Sequence, residues 1–162
     1  MTPTLHATWV FEREISASPA AVFAAIADPA AREEWGPPSD ATVLIYEDAD
    51  FGEGGLDRFR CGPKANPYVR GETRYLDIVP ERRVISSEML FADGRRLCAS
   101  LSTLELIPQG NKTRLKNTSQ LVSFIGADMV KDYAAAANTS FDSLVRYFQT
   151  NPMAQTPREA IA

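Results

Sequence analysis

The chain carries its longest helical pattern in residues 127–150, ADMVKDYAAAANTSFDSLVRYFQT, and this stretch decides its fold. Apolar side chains recur there at spacings of three and four residues, which predicts an amphipathic helix with one face for burial. At a rise of about 1.5 Å per residue, the helix is roughly 35 Å long. It is therefore long enough to lie across a whole sheet. The predicted buried face consists of Met129, Tyr133, Ala137, Phe141, Leu144 and Phe148.

The middle of this predicted helix holds small residues. Four alanines at 134–137 are followed by Asn138, Thr139 and Ser140. One interpretation is that alanine favours the helix and lets it pack closely on its neighbours. The other is that a helix with such a thin middle leaves a cavity above a curved sheet, into which the three polar side chains offer hydrogen bonds. The sequence leaves both open.

The chain begins with a predicted strand and two short helices. Alternating residues indicate a strand over residues 6–15. Ser18 followed by Pro19 is typical of a helix start and predicts a helix over residues 20–27. Asp28 then precedes a second proline and a helix over residues 30–35. We expect Trp35, at the end of that helix, to anchor the core, with a position at a cavity mouth as the alternative.

Six further strands are predicted over residues 41–47, 56–61, 68–79, 82–91, 95–107 and 112–122. Their connections are short and rich in turn-forming residues, so neighbouring strands are expected to pair antiparallel. The predicted fold class is α+β, with seven strands, two short helices after the first strand and one long C-terminal helix. We expect a single domain over residues 1–162, with its core at about 6–150 and a flexible tail at 151–162.

Alternation also predicts which strand residues face the long helix. In the sixth and seventh strands the inward set mixes leucines with serines and an asparagine. In the fourth, Leu76 and Ile78 are the natural inward pair, which brings Glu72 and Arg74 to the same side. A polar inner wall favours a ligand cavity, although these residues at solvated strand ends would give the same pattern. The predicted cavity residues are Trp35, Glu72, Arg74, Leu76, Glu88, Ser100, Ser102, Asn117, Ser119, Met129, Tyr133, Ala137 and Phe141.

Composition disfavours several functional classes. The net charge is −4 and the basic residues are dispersed, which argues against binding of nucleic acid or anionic membranes. Cys61, Cys98 and the single histidine, His6, do not form a metal-ligand pattern, so neither a metal nor a cofactor is expected. No stretch resembles a signal peptide or has membrane-spanning length. We therefore expect a cytoplasmic protein without membrane insertion.

No set of catalytic residues can be assigned from the sequence. A Ser-His-Asp triad cannot be drawn. Glu72, Glu88 and Tyr75 are the candidate acids or bases for cyclase or dehydratase chemistry, and none carries a supporting motif. An enzymatic role therefore stays open as an alternative, with no catalytic residue named.

Four segments resemble a known superfamily. Residues 11–29, FEREISASPAAVFAAIADP, followed by Trp35-Gly36-Pro37, resemble the opening of the helix-grip (Bet v 1-like) superfamily, also called SRPBCC, which includes START lipid-transfer domains, birch-pollen allergens and polyketide cyclases. Residues 74–85, RYLDIVPERRVI, resemble the subgroup similar to the C-terminal domain of the Hsp90 ATPase activator. Residues 101–106, LSTLEL, and 111–115, NKTRL, fit the same subgroup.

The resemblance implies a helix-grip fold, in which a curved seven-stranded antiparallel sheet wraps around the C-terminal helix and two small helices close one end. In many members it also implies an apolar small molecule bound between sheet and helix. The expected partner is thus a small hydrophobic or amphipathic ligand. A polyketide cyclase or dehydratase-like enzyme and an Hsp90-type chaperone interaction module are the alternatives. A chaperone partner and a homodimer are both compatible with the resemblance.

Overall fold

The computed structural model describes residues 2–155, apart from the side chain of Met153. The order of elements confirms the predicted fold class. It runs β1 (Leu5–Ile15), α1 (Pro19–Ala27), α2 (Pro29–Trp35), β2 (Thr42–Asp48), β3 (Leu56–Pro63), β4 (Val69–Val79), β5 (Arg83–Ala92), β6 (Arg95–Gln109), β7 (Lys112–Ser123), α3 (Ala127–Thr150) and a short 3-10 helix (Pro152–Gln155).

All seven strands form one antiparallel sheet in the order β1-β7-β6-β5-β4-β3-β2. Strands β2 to β7 follow one another through short turns, so sequence neighbours pair with each other. The crossover through α1 and α2 carries the chain from β1 at one edge to β2 at the other. Helix α3 packs mainly on β1 and β7, which gives the helix-grip arrangement.

The two short helices begin where the sequence predicted. Ser18 Oγ accepts a hydrogen bond from the Ala21 amide at 3.2 Å, and Asp28 Oδ1 accepts one from the Ala30 amide at 3.0 Å. Each cap precedes a proline in the first helical turn, where the missing amide costs nothing. Trp35 Nε1 donates to the Ala25 carbonyl at 3.0 Å. The expectation that Trp35 anchors the corner between these helices is therefore confirmed.

The tightest packing lies beneath the C-terminal half of α3. Leu144 and Phe148 are fully buried there, together with Ile15, Val22 and Leu115. No other residue of α3 falls in the fully buried class within the described structure. The helix is therefore clamped at its C-terminal end, while its N-terminal half is only partly covered.

The predicted flexible tail is only partly within the described residues. Residues 152–155 form a 3-10 helix, and the flexibility of the tail stays a prediction. Ala154 packs against the core, and Gln155 Nε2 donates to the Phe148 carbonyl at 3.3 Å. These contacts give the segment a defined conformation. Residues 156–162 of the predicted tail lie outside the described residues.

The predicted orientation of β4 is wrong over its first half. Tyr75 is buried, whereas Leu76 is 51% exposed. The pairing of β4 with β5 shifts between Tyr75 and Asp77, which is a β-bulge. Such an extra residue reverses the alternation on either side of it. Ile78 pairs with Val84, which is buried, so extrapolation backward from Ile78 across the bulge assigned the wrong face to the residues before it.

A pair of leucine substitutions tests both the clamp and the corrected orientation. Leu144→Ala should lower the free energy of unfolding by about 2–5 kcal/mol, because it opens a cavity in closely packed surroundings. Leu76→Ala should cost less than about 1 kcal/mol, because the side chain is half exposed on the outer face. Urea unfolding followed by circular dichroism measures both. Equal losses would contradict the assignment of β4.

Candidate ligand-binding site

The N-terminal half of α3 leans on one edge of the sheet. The ring of Tyr133 stacks on Trp9 at 5.5 Å between centroids, and that of Phe141 lies 5.7 Å from Phe11. Both partners belong to β1, so these aromatic contacts hold the helix over one side of the sheet. Farther across, the inward-facing Ser86 and Glu88 of β5 keep part of their surface accessible. This combination indicates open space between the helix and the middle of the sheet.

Polar side chains line this space in two cross-strand rows. One row follows the register Asp57, Thr73, Glu88 and Ser100, and the next follows Tyr75, Ser86, Ser102 and Ser119. Directly opposed residues in an antiparallel sheet have Cβ atoms about 4.5–5.5 Å apart, so each row is continuous. We call the following residues the polar floor: Thr73, Ser86, Glu88, Ser100, Ser102, Asn117 and Ser119.

The β6–β7 side of the polar floor is a hydrogen-bonded network. Ser102 Oγ donates to Asn117 Oδ1 at 2.7 Å, and Asn117 Nδ2 donates to Ser119 Oγ at 2.8 Å. Burial raises the pKa of Tyr133, while the hydroxyls of Ser119 and Ser100 act against that rise. The phenol of α3 therefore lies beside this network. Mutual bonding explains how Asn117 and Ser119 are buried without cost.

The β4–β5 side of the polar floor holds a carboxyl group. Thr73 Oγ1 donates to Glu88 Oε2 at 3.1 Å. Burial raises the pKa of Glu88, because a desolvated carboxylate is disfavoured, and the bond from Thr73 only partly opposes this. Burial also raises the pKa of Cys61 to about 11 and that of Cys98 to about 12, with the Glu88 carboxyl adding to both shifts. These side chains therefore surround one interior region.

A buried ion pair ties α2 to the sheet beside the polar floor. Arg32 Nη1 donates to Asp57 Oδ2 at 2.6 Å and to the Tyr75 hydroxyl at 2.8 Å, and that hydroxyl in turn donates to Asp57. The guanidinium carbon also lies 4.3 Å from the centroid of the Tyr46 ring. Asp57 Oδ1 accepts the Asp50 amide at 2.8 Å. The cluster thus joins α2, β2, β3 and β4.

The structure brings most predicted cavity residues to the inner side of the sheet. From the strands these are Glu88, Ser100, Ser102, Asn117 and Ser119. The helix adds its half-buried stripe, Met129, Tyr133, Ala137 and Phe141. Trp35 lies apart, at the corner between α1 and α2. Their contact with a ligand stays a prediction.

Three predicted cavity residues lie on the outer face instead. Arg58 Nε is 3.7 Å from Glu72 Oε1 across the outer surface, and Arg74 Nη1 donates to the Gly54 carbonyl at 2.8 Å. Leu76 is exposed beside them. The bulge after Tyr75 is the reason, because it reverses the alternation. Of the three candidate acids or bases, Glu72 is therefore outside and Tyr75 is bonded to Asp57, which leaves Glu88.

The polar side chains in the middle of α3 are bonded to backbone carbonyls. One interpretation of the sequence had them offer hydrogen bonds into a cavity. Asn138 Nδ2 and Thr139 Oγ1 donate to the carbonyls four residues earlier, at 3.1 and 3.0 Å. Ser140 Oγ donates to the Gly36 carbonyl at 2.6 Å, which ties the helix to the end of α2. All three side chains are engaged within the protein.

Sequence reasoning missed Arg32, Asp57, Thr73 and Ser86. The ion pair joins residues 25 positions apart, and no local pattern links them. Thr73 and Ser86 were missed for different reasons. The alternation predicted for β4 places Thr73 outward, opposite to Glu72 and Arg74, whereas no face was predicted for β5, the strand that carries Ser86. A large aromatic residue such as Tyr75, treated as inward, would have been the available signal for the β4 face.

A cleft of about 550 Å³ lies between α3 and the edge strand β2. It is at the opposite edge of the sheet from β1, on which the helix leans. Leu44 contributes an apolar wall, and Thr139, Ser143 and Arg146 of α3 face it. The connection between α2 and β2 also lines this cleft, and no residue of the polar floor is part of its lining.

Fold and interior together define a helix-grip protein with a polar-floored space under its long helix. The protein-family profile described as Activator of Hsp90 ATPase homolog 1-like protein matches residues 16–149. Because that match covers most of the 162 residues, the chain belongs to this family. A search among curated protein sequences gives no match.

Several solved structures are similar over nearly their whole length. The Mll3558 protein from Rhizobium loti is 32% identical, with a TM-score of 0.79 over 90% of this chain and 99% of that one. A putative uncharacterized protein from Rhizobium leguminosarum is 27% identical, with a TM-score of 0.80 over 91% and 97%. The CV1439 protein from Chromobacterium violaceum, at 23% identity and a TM-score of 0.76 over 86% and 94%, supports the fold alone.

Two searches of residues 2–155 returned negative findings. No helix there combines the length and the hydrophobicity needed to cross a membrane. In the same part of the chain, no three side chains of histidine, cysteine, aspartate or glutamate are gathered where they could hold a metal ion. A chaperone partner and a homodimer stay predictions.

A double-mutant cycle tests the buried ion pair. Asp57→Asn and Arg32→Met should each lower the free energy of unfolding by about 3–5 kcal/mol, because each leaves one buried charge without its partner. The double variant should cost clearly less than the sum, since it buries no unpaired charge. Urea titrations of the four proteins measure the coupling. Additive losses would show that the pair does not act as a unit.

The raised pKa of Glu88 predicts how stability depends on pH. Above the usual glutamate pKa of about 4.3, the unfolded chain releases a proton that the folded chain retains. The wild type should therefore lose stability relative to Glu88→Gln as the pH rises from the unfolded pKa through the folded one. Unfolding titrations from pH 4 to pH 8 measure the difference. Glu72→Gln, an exposed position, is the matched control, and a constant difference between wild type and Glu88→Gln would contradict the prediction.

Proposed function

We propose that this protein binds a small hydrophobic or amphipathic molecule between α3 and the sheet. One observation carries the proposal: Ser86, Glu88 and Ser102 point inward from the middle of the sheet and keep accessible surface. In a sealed core, such polar groups would be paired and covered. A concave, mostly apolar space with a few convergent polar groups is the usual form of a small-molecule site.

The walls of the space suit an apolar ligand body. Trp9 and Phe11 form the wall on the β1 side. Phe141 forms the wall on the helix side, between these two residues and the buried Leu144 and Phe148. Leu90 and Leu104 are inward-facing and only partly covered, so their remaining surface is available to a ligand. Covering apolar surface gives about 25 cal/mol per Å², which supplies the main part of the affinity.

The polar floor orients the ligand, while the apolar walls supply most of the affinity. Its β6–β7 side is already hydrogen-bonded within the protein, as the bonds of Asn117 show. Groups with satisfied bonds accept a ligand without a large penalty and discriminate weakly between ligands. We place this activity in the cytoplasm, where the free thiols of Cys61 and Cys98 stay reduced.

Two alanine substitutions on α3 test the proposal. N-phenyl-1-naphthylamine, a neutral apolar dye, should bind the wild type with a rise in fluorescence and a stoichiometry close to one. Ala137→Phe should weaken this binding by about tenfold or more, because the half-buried position faces the interior and a phenyl ring would fill it. Ala135→Phe makes the same change at an exposed position and should leave binding unaltered.

Thermal unfolding of both variants provides the control for folding. No dye binding to the wild type would contradict the proposed function. Equal weakening by the two substitutions would also contradict it, since the effect would then not come from the interior.

A further inference from the structure

Glu88 differs from the other buried acid of the interior. Asp57 is paired with Arg32. Within residues 2–155, no arginine, lysine or histidine forms a salt bridge with Glu88, whose one recorded bond is from Thr73 to Oε2. Oε1 is bonded to no described group, and it is also not among the buried atoms lacking a partner, so it keeps contact with the open space. The carboxyl group thus offers one free oxygen to a ligand.

A carboxylate in such a place is costly without a positive partner. Desolvation of an unpaired charge is expensive, and the group responds by keeping its proton or by pairing with a cation. A neutral side chain of similar shape, such as glutamine, would avoid the cost altogether. An acid at this position is therefore suited to a ligand that brings the missing positive charge.

The groups around Glu88 favour a cation over an anion. The titratable ones are Tyr46 on β2, Cys61 on β3, Cys98 on β6 and Tyr133 on α3. Burial raises the pKa of each, that of Tyr46 to about 12, so all four are uncharged at neutral pH. The ring of Tyr133 adds aromatic surface, which attracts an ammonium ion, whereas the ring of Tyr46 already faces the Arg32 guanidinium.

The nearby guanidinium of Arg32 does not favour an anionic ligand. Arg32 Nη1 is bonded to Asp57 and Tyr75. Its Nε and Nη2 have no partner among the described residues but are closed off from the open space, each with almost no accessible surface. Arg32 therefore offers a ligand carboxylate no accessible positive charge in the open space.

We propose that the ligand is an amphipathic amine, whose ammonium group pairs with the carboxylate of Glu88 while its apolar part lies beneath the alanines of α3. This inference rests on the proposed function and adds the chemical class of the ligand. No covalent bond forms or breaks. The amine enters as its ammonium ion, and whatever fraction of Glu88 is protonated in the ligand-free protein releases its proton to the solvent.

Displacement of N-phenyl-1-naphthylamine by three ten-carbon compounds tests the class. Decylamine, 1-decanol and decanoate share one chain and differ in the charge of the head group. Decylamine should bind about tenfold tighter than 1-decanol or more, with decanoate the weakest, because the buried carboxylate gains a partner only from the amine. Glu88→Gln should remove the advantage of decylamine over 1-decanol. Glu72→Gln, which loses the same charge from the outer face, should behave as the wild type.

Calorimetry supplies a second readout that a merely structural role of Glu88 would not move. Titration of decylamine at neutral pH in phosphate and in Tris buffer counts the protons released, because the two buffers differ in ionisation enthalpy. The wild type should release a measurable fraction of a proton, up to about one, and Glu88→Gln none. The affinity for decylamine should also rise with pH until Glu88 is ionised in the ligand-free protein.

The outcomes separate this inference from the proposed function. Binding of the dye and of 1-decanol, with decylamine no tighter, overturns the amine and leaves the proposed function standing. Tightest binding of decanoate, or an unchanged preference in Glu88→Gln, also overturns the amine. Absence of binding by the dye and by all three compounds overturns both. A selective loss of decylamine binding in Glu88→Gln, together with loss of proton release, supports the inference.

Discussion

A single helix cannot cover a seven-stranded sheet, and the rest of this structure follows from that mismatch. Strands stand about 4.8 Å apart, so seven of them span roughly 29 Å, whereas a helix with its side chains is about 10–12 Å across. The sheet curves around α3, yet the helix still packs mainly on β1 and β7. The remaining inner surface must be covered by end helices or left open. In this structure the inner surface is covered at the C-terminal end of α3 and left partly open at its N-terminal end.

The closed end is built from contacts of two kinds. Leu144 and Phe148 fill an apolar core with α1, and the Arg32–Asp57 pair fastens α2 to the strands. Ala134–Ala137 have short side chains and are not part of this buried core. Stability is thus concentrated at one end of the helix. The other end can leave part of its interior accessible without loss of the fold.

The difference between the closed and the accessible end of α3 explains why an acid without a salt bridge, Glu88, can be kept. It contributes nothing to the closed core, and burial makes its charged form unfavourable. Natural proteins keep such groups chiefly where binding or catalysis uses them. The ion pair one row away shows the contrast, because Asp57 has a partner, is completely buried and holds elements together. The two carboxyl groups differ in their position: Glu88 borders the open space, whereas Asp57 does not.

Local sequence determined the elements and much of the inner surface. Ser18 and Asp28 mark helix starts, and regular alternation in β6 and β7 assigns Ser102, Asn117 and Ser119 correctly, because period and capping are properties of neighbouring residues. Only the tertiary structure decided the face of β4 and the pairing of distant charges. A bulge depends on how two strands meet, and it turned Glu72 outward. The partners of Arg32, and the lack of a salt-bridge partner for Glu88 within residues 2–155, depend on which strands the fold brings together. No local pattern in the sequence records this.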